Sequence, residues 1–227
     1  MKTNIFDAQI TAALFDRTGA VFALGDGSVR FEGGEFSAAH DGAILCAAVH
    51  PSGDGVVTGG DDGRVIWHRR GEAGVLATAK GQWIDAIDAS AESGLIAFSA
   101  GKTLSVIDAK DAGFRRDFQH ERTVSGVAFE PKGRRIATST YGGAALWFAR
   151  IAQQKPTLLK WAGSHTAVGW SPDGWAAAHR TAPSWAALNS PPSKRTEPSP
   201  SAKTALVLSN RAAVTWASKV LVFMGSV

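Results

Sequence analysis

The chain holds a single cysteine, Cys46. That excludes an intrachain disulfide and a cysteine-built metal framework, and it suits a reducing compartment such as the cytoplasm. Cys46 lies inside an apolar run, so a buried, inert thiol is expected. No apolar run approaches the roughly 20 residues that a membrane-spanning helix needs. The polar beginning (Lys2, Asn4, Asp7, Gln9, Asp16) leaves no uninterrupted apolar core for a secretory signal.

The marks of catalysis and cofactor binding are missing too. The glycine cluster at 59–63 has no Lys-Ser or Lys-Thr after it, and Gly25-Asp26-Gly27 has no third glycine, so neither is a phosphate loop. No Gly-x-Ser-x-Gly elbow occurs. Asp61 and Asp62 are adjacent rather than spaced through a calcium loop, and with Gly63 they read as turn chemistry. His40, His50 and His68 form no pair at metal-ligand spacing. No catalytic residue, metal or cofactor is expected.

A strong basic character is also absent from most of the chain, despite a net charge of +4 and a pI near 9.4. Six Lys/Arg (Arg180, Lys194, Arg195, Lys203, Arg211, Lys219) and one acid, Glu197, follow Gly174. Of the 24 basic and 20 acidic residues, this leaves 18 against 19 for residues 1–174. The body is neutral, and nucleic-acid association through the basic tail is a minor alternative.

What the chain does contain is a repeat. From His40 to Arg70 three short apolar runs (44–49, 56–58, 65–67) are broken by His50-Pro51-Ser52-Gly53-Asp54-Gly55 and Gly59-Gly60-Asp61-Asp62-Gly63. Short β-branched runs separated by Gly, Pro and Asp-Gly clusters predict strand, hairpin, strand, hairpin, strand. The glycine closing the first hairpin recurs as Gly19, Gly53, Gly94, Gly133 and Gly174. Trp67, Ile107 and Trp147 recur every 40 residues and are taken as equivalent third-strand positions. A period near 40 with four strands per unit predicts propeller blades, each stable only against its neighbours.

These units resemble WD40 repeats, a β-propeller family, over about residues 10–174. His40-Asp41-Gly42 stands at the family's Gly-His turn. Ser171-Pro172-Asp173-Gly174 matches its first hairpin, and residues 59–63 match its second. The sequence departs from the pattern in having no Trp-Asp dipeptide, and Asp62 precedes Trp67 by five positions, one fewer than is usual. The family's buried Asp-His-Ser/Thr-Trp hydrogen-bond set is therefore expected to be incomplete, with apolar packing holding the blades.

The predicted architecture is all-β: a partial propeller with blades at about 10–39, 40–80, 81–121 and 122–163, the start of a fifth at 164–174, and a low-complexity tail over 175–227. After Gly174 no alternation continues, and residues 190–201 form a Pro/Ser/charge stretch. That abrupt change points to a shifted frame or truncation near Gly174, with a disordered tail as the alternative. Four and a fraction blades would leave an open edge prone to self-association.

The resemblance implies a non-catalytic, cytoplasmic protein-interaction scaffold that binds a protein or peptide through one face. The residues expected on that face are Asp61, Asp62, Trp83, Asp85, Lys102, Arg122 and Tyr141, polar contacts around an aromatic anchor. A propeller enzyme or ligand-binding protein using the central channel is the competing expectation.

Overall fold

The computed structural model describes residues 7–174 in full and the backbone of 176–180 and 206–209. Every element among these residues is a strand or a turn. Blade one is β1 (Ile10–Asp16), β2 (Gly19–Leu24), β3 (Ser28–Phe31) and β4 (Phe36–Ala38). Blade two is β5 (Ile44–Val49), β6 (Val56–Gly60), β7 (Arg64–Arg69) and β8 (Glu72–Thr78). Blade three is β9 (Ile87–Ser90), β10 (Leu95–Ala100), β11 (Thr103–Asp108) and β12 (Arg115–Gln119). Each is a four-stranded antiparallel meander in chain order.

The fourth sheet has five strands: β13 (Val124–Phe129), β14 (Arg135–Phe148), β15 (Thr157–Trp170), β16 (Ala176–Arg180) and β17 (Leu206–Ser209). β14 pairs with β13 through residues 136–140 and with β15 from Tyr141 onward. It folds back on itself at Tyr141-Gly142-Gly143, where both glycines have positive φ, so Thr138 Oγ1 reaches the Ala145 carbonyl at 3.2 Å. β15 serves two blades. Its first half is the outer strand of blade four, and its second half, from His165, pairs with β16. That second half also lies beside β13: the Ser125 hydroxyl donates to the His165 carbonyl at 2.6 Å, and Trp170 Nε1 donates to the Ala128 carbonyl at 2.9 Å.

One expectation needs revision here. The sequence shows no second strand directly after Gly174, yet Ala176–Arg180 pairs along β15; Leu206–Ser209, where the apolar run 205–208 allows a weak strand, adds to it in parallel. Backbone pairing along a long neighbouring strand makes a strand of an alanine run whose side chains carry no alternation. At 163–164 β15 runs on without interruption, but its sheet partner changes from β14 to β16 between Ser164 and His165. The Pro/Ser stretch, and with it the frame-shift and disordered-tail readings, lies outside the described residues.

Alternation along the central strands explains how the blades stack. Ile96 and Phe98 of β10 pack with Val57 and Val65 of blade two, while Leu95 and Ala97 pack with Phe129, Ile136 and Trp147 of blade four. A third cluster joins Val21, Ala23, Val29 and Phe31 of blade one to Ile44 and Val56. β6 and β10 are buried throughout, because each has a neighbouring blade on both faces. In β1, Ala12 and Leu14 face blade two, whereas Thr11, Ala13 and Phe15 are exposed.

Polar ties reinforce the stacking. Arg70 of blade two reaches back to blade one, donating to Glu35 Oε2 (2.6 Å), the Glu32 carbonyl (2.7 Å) and Thr18 Oγ1 (3.1 Å). The group is partly solvated, so Arg70→Ala should lower stability by only about 1 kcal/mol, read from the urea midpoint. A loss several times larger would mean that the tie organises the blade interface.

Candidate functional site

One end of the blades is built from the turns between second and third strands and the loops that lead into the next blade. Backbone bonds lock the two together. Ile84 N–H donates to the Gly60 carbonyl (3.1 Å) and Ala79 N–H to the Gly63 carbonyl (2.8 Å). In blade three His120 N–H donates to Lys102 and Val124 N–H to Gly101, both at 2.9 Å. Gly63 is at φ +75°, where an added Cβ would lie 2.4 Å from the Ala79 carbonyl oxygen, so this junction needs glycine.

The residues expected on the binding face all lie on these turns and loops, with different roles. Trp83 is 63% exposed beside Ile84, which is fully buried. Asp85, Lys102 and Arg122 are exposed, and so is Tyr141, at 64%. Arg122 and Tyr141 line one cavity at blade four, of about 740 Å³. Asp61 is half-buried, its carboxylate against Gly42.

Asp62 departs from the rim role. Its carboxylate accepts from His40 Nδ1 (3.0 Å), the Asp41 N–H (3.1 Å) and the Arg64 N–H (3.0 Å). Burial alone would raise the carboxyl, but the Arg64 N–H, the His40 ring and the Asp41 N–H outweigh it and hold it below the usual range. Asp62 builds the blade rather than facing a partner.

From Asp62 a chain of hydrogen bonds runs inward. His40 Nε2 meets Thr58 Oγ1 at 2.7 Å, His68 Nε2 meets the same oxygen at 2.9 Å, and His68 Nδ1 meets Ser37 Oγ of blade one at 2.9 Å. One order of protons satisfies every member. Ser37 donates to His68 Nδ1, His68 Nε2–H to Thr58, Thr58 to His40 Nε2, and His40 Nδ1–H to Asp62. Sequence spacing did not reveal that two histidines share one hydroxyl, their rings 5.8 Å apart. The signal was available: counting six residues from Asp62 lands on His68, not on Trp67.

Blade four repeats the set without its acid. His120 Nε2 meets Thr138 Oγ1 at 2.9 Å and accepts from Trp147 Nε1 at 3.1 Å. Thr58 Oγ1 also lies 3.4 Å from the Ile66 carbonyl oxygen, as Thr138 Oγ1 lies 3.2 Å from that of Ala145, so Trp147 matches His68 and Tyr141 matches Asp62. This corrects the equivalence of Trp67 with Trp147. Trp67 instead lies flat on His50 (3.8 Å between centroids), with Arg69 over its ring and its Nε1 on the Asp54 carbonyl.

Cys46 donates to the Ile84 carbonyl at 3.1 Å, and burial followed by the charge of Asp85 pushes its thiol up to about 12. It has no thiolate chemistry near neutrality. Among the described residues no three His, Cys, Asp or Glu side chains gather as a metal cage.

Meandering four-stranded sheets stacked face to face, with a His-Thr hydrogen-bond set at the rim, define a β-propeller repeat protein. Residues 34–68 match the family model for the WD domain, G-beta repeat, from the end of blade one through the third strand of blade two. That match covers one blade, which carries a WD40-type repeat, and the other sheets repeat its four-stranded meander. A search of curated proteins gave no match.

Proposed function

We propose that the chain is a non-catalytic, cytoplasmic protein-interaction module whose partner-binding face is the rim carrying Asp61, Trp83, Asp85, Lys102, Arg122 and Tyr141. WD40 repeats generally serve as scaffolds for protein or peptide partners, and the supporting observation is Trp83. A large indole stays 63% exposed on a loop pinned by buried Ile84, a pre-organised anchor that loses little freedom on binding. The test compares proteins captured by the wild type with those captured by Trp83→Ala, followed by affinities for the purified partner. Loss of about tenfold or more in affinity, with an unchanged unfolding midpoint, supports the reading. Equal capture by both forms refutes it.

Self-association is a second reading, favoured by the bare face of blade one, where Ile10, Phe15 and Phe36 are 46%, 79% and 57% exposed. Phe15→Asp should then shift the size-exclusion profile toward monomer. Neither the central-channel enzyme nor nucleic-acid binding gains a comparable observation. The tail cations Lys194, Arg195, Lys203, Arg211 and Lys219 lie outside the described residues.

A further inference from the structure

Blades two and four differ at one position that matters chemically. In blade two the Asp62 carboxylate collects three donors: His40 Nδ1, the Asp41 N–H and the Arg64 N–H. The matching positions of blade four are His120, Glu121 and Gly143, with Tyr141 where the acid would be. Gly142, at φ +95°, stands where Gly63 is at +75°, in a hairpin one residue shorter that carries no carboxylate. His120 Nδ1 turns instead to the Phe118 carbonyl at 3.1 Å. The Glu121 N–H makes no hydrogen bond among the described residues.

The cavity of about 740 Å³ opens at this place, and His120, Glu121, Tyr141 and Gly143 are in its wall. Two cations, Arg122 and Lys160, also line it. Neither makes an ion pair among the described residues, although Arg17, Arg64, Arg69, Arg70, Arg115, Arg135 and Arg150 all do. Glu121 is the one acid of the wall, so the lining carries an excess of one positive charge. On one side the wall is apolar, with Leu158 at 57% and Trp161 at 45% exposure, while Gln119 and Thr140 add uncharged polar groups.

We propose that this cavity binds the carboxylate of an acidic side chain in a partner peptide. That carboxylate takes the place in blade four that Asp62 holds in blade two, while an adjacent apolar side chain of the peptide rests on Leu158 and Trp161. The inference rests on the partner-binding reading and narrows it to one blade and one chemistry. Anion recognition comes from the Glu121 N–H together with the Arg122 and Lys160 charges, and charge-assisted hydrogen bonds of this kind are the strong ones. The aromatic and aliphatic wall supplies contact area and excludes water around the charge.

The test selects a displayed random heptapeptide library on the full chain and measures the enriched peptides by fluorescence anisotropy. Enriched sequences should share an acid next to an aromatic or aliphatic residue. Replacing that acid by its amide should weaken binding by about tenfold or more. Arg122→Glu combined with Lys160→Glu, both at exposed positions, should do the same. Tyr141→Asp supplies the missing carboxylate from within, so it should block the peptide and raise the unfolding midpoint. Tyr141→Ala removes the same ring without supplying an acid, and it should bind more tightly than Tyr141→Asp. Peptides with no acidic preference, or binding that Tyr141→Asp leaves intact, overturn the proposal. If acid-free peptides are enriched and Trp83→Ala releases them, the blade-four inference falls while the partner-binding face stands. If no peptide is enriched, both fall.

Discussion

Urea midpoints of the wild-type protein will fall steadily as pH drops from 6.5 toward 3, and in His68→Gln about half of that slope between pH 6 and 4 will disappear. The His68 ring is completely buried, and burial followed by its neighbour His40 pushes its pKa down to about 3. In the unfolded chain it returns to the ordinary value near 6.5. A base whose folded pKa is depressed leaves stability untouched above the unfolded value. Below 6.5 the unfolded state takes up a proton that the native state refuses, and stability is lost until the folded pKa is reached. At pH 4 this single ring destabilises the fold by about 3 kcal/mol, from roughly 1.36 kcal/mol per pH unit. His50, which burial pushes down to about 4, acts in the same direction over a narrower window. The hydrogen-bonded carboxylates Asp16, Asp26, Asp62 and Asp108 are held below their usual value, so their contribution is lost only at lower pH, below about 4. Glutamine at 68 can donate to Thr58 without titrating, which is why it isolates the ring. A wild-type midpoint that is flat from pH 6.5 to 4, or an unchanged slope in the variant, would show that His68 takes up a proton in the folded protein without penalty.

The second large effect is expected at Thr58. Its hydroxyl is the sole link between two buried rings, accepting from His68 and donating to His40. Thr58→Val keeps the volume and leaves both ring nitrogens unpaired where water does not reach. At about 1–3 kcal/mol for each of the two stranded groups, the loss should total about 2–6 kcal/mol. Thr138→Val in blade four is the internal control. There Trp147 Nε1 still donates to His120 Nε2 at 3.1 Å, so neither ring is stranded, and the loss should be about 1 kcal/mol. Equal losses at the two positions would show that the shared hydroxyl has no special weight.

The blades themselves were legible because the turns carry them. Glycines at a spacing near 40 mark hairpins, and hairpins fix where strands begin and end. The rim residues Trp83, Lys102, Arg122 and Tyr141 were legible for the same reason, since polar turns seldom fold inward. The finer register was not. A constant period of 40 makes Trp67 and Trp147 partners, but the second hairpin of blade four is one residue shorter: Thr58 faces Ile66, eight positions on, while Thr138 reaches Ala145 after seven. One residue moves a side chain to the opposite face of a sheet. His68 therefore occupies the buried place and Trp67 the half-exposed one, which composition alone suggests the other way round. Asp62 was misplaced by the same slip, because its role depends on which residue lies six positions away.

The unequal covering of the strands has a consequence for how the molecule opens. Val56–Gly60 and Leu95–Ala100 are sandwiched on both sides, whereas β1 has one side in water. In a stack whose units are stabilised by nearest neighbours, the ends come apart before the middle. Deuterium uptake should therefore be graded, slowest at those two inner strands and fastest at Ile10–Asp16, so that the molecule frays from its first blade while its kernel stays closed.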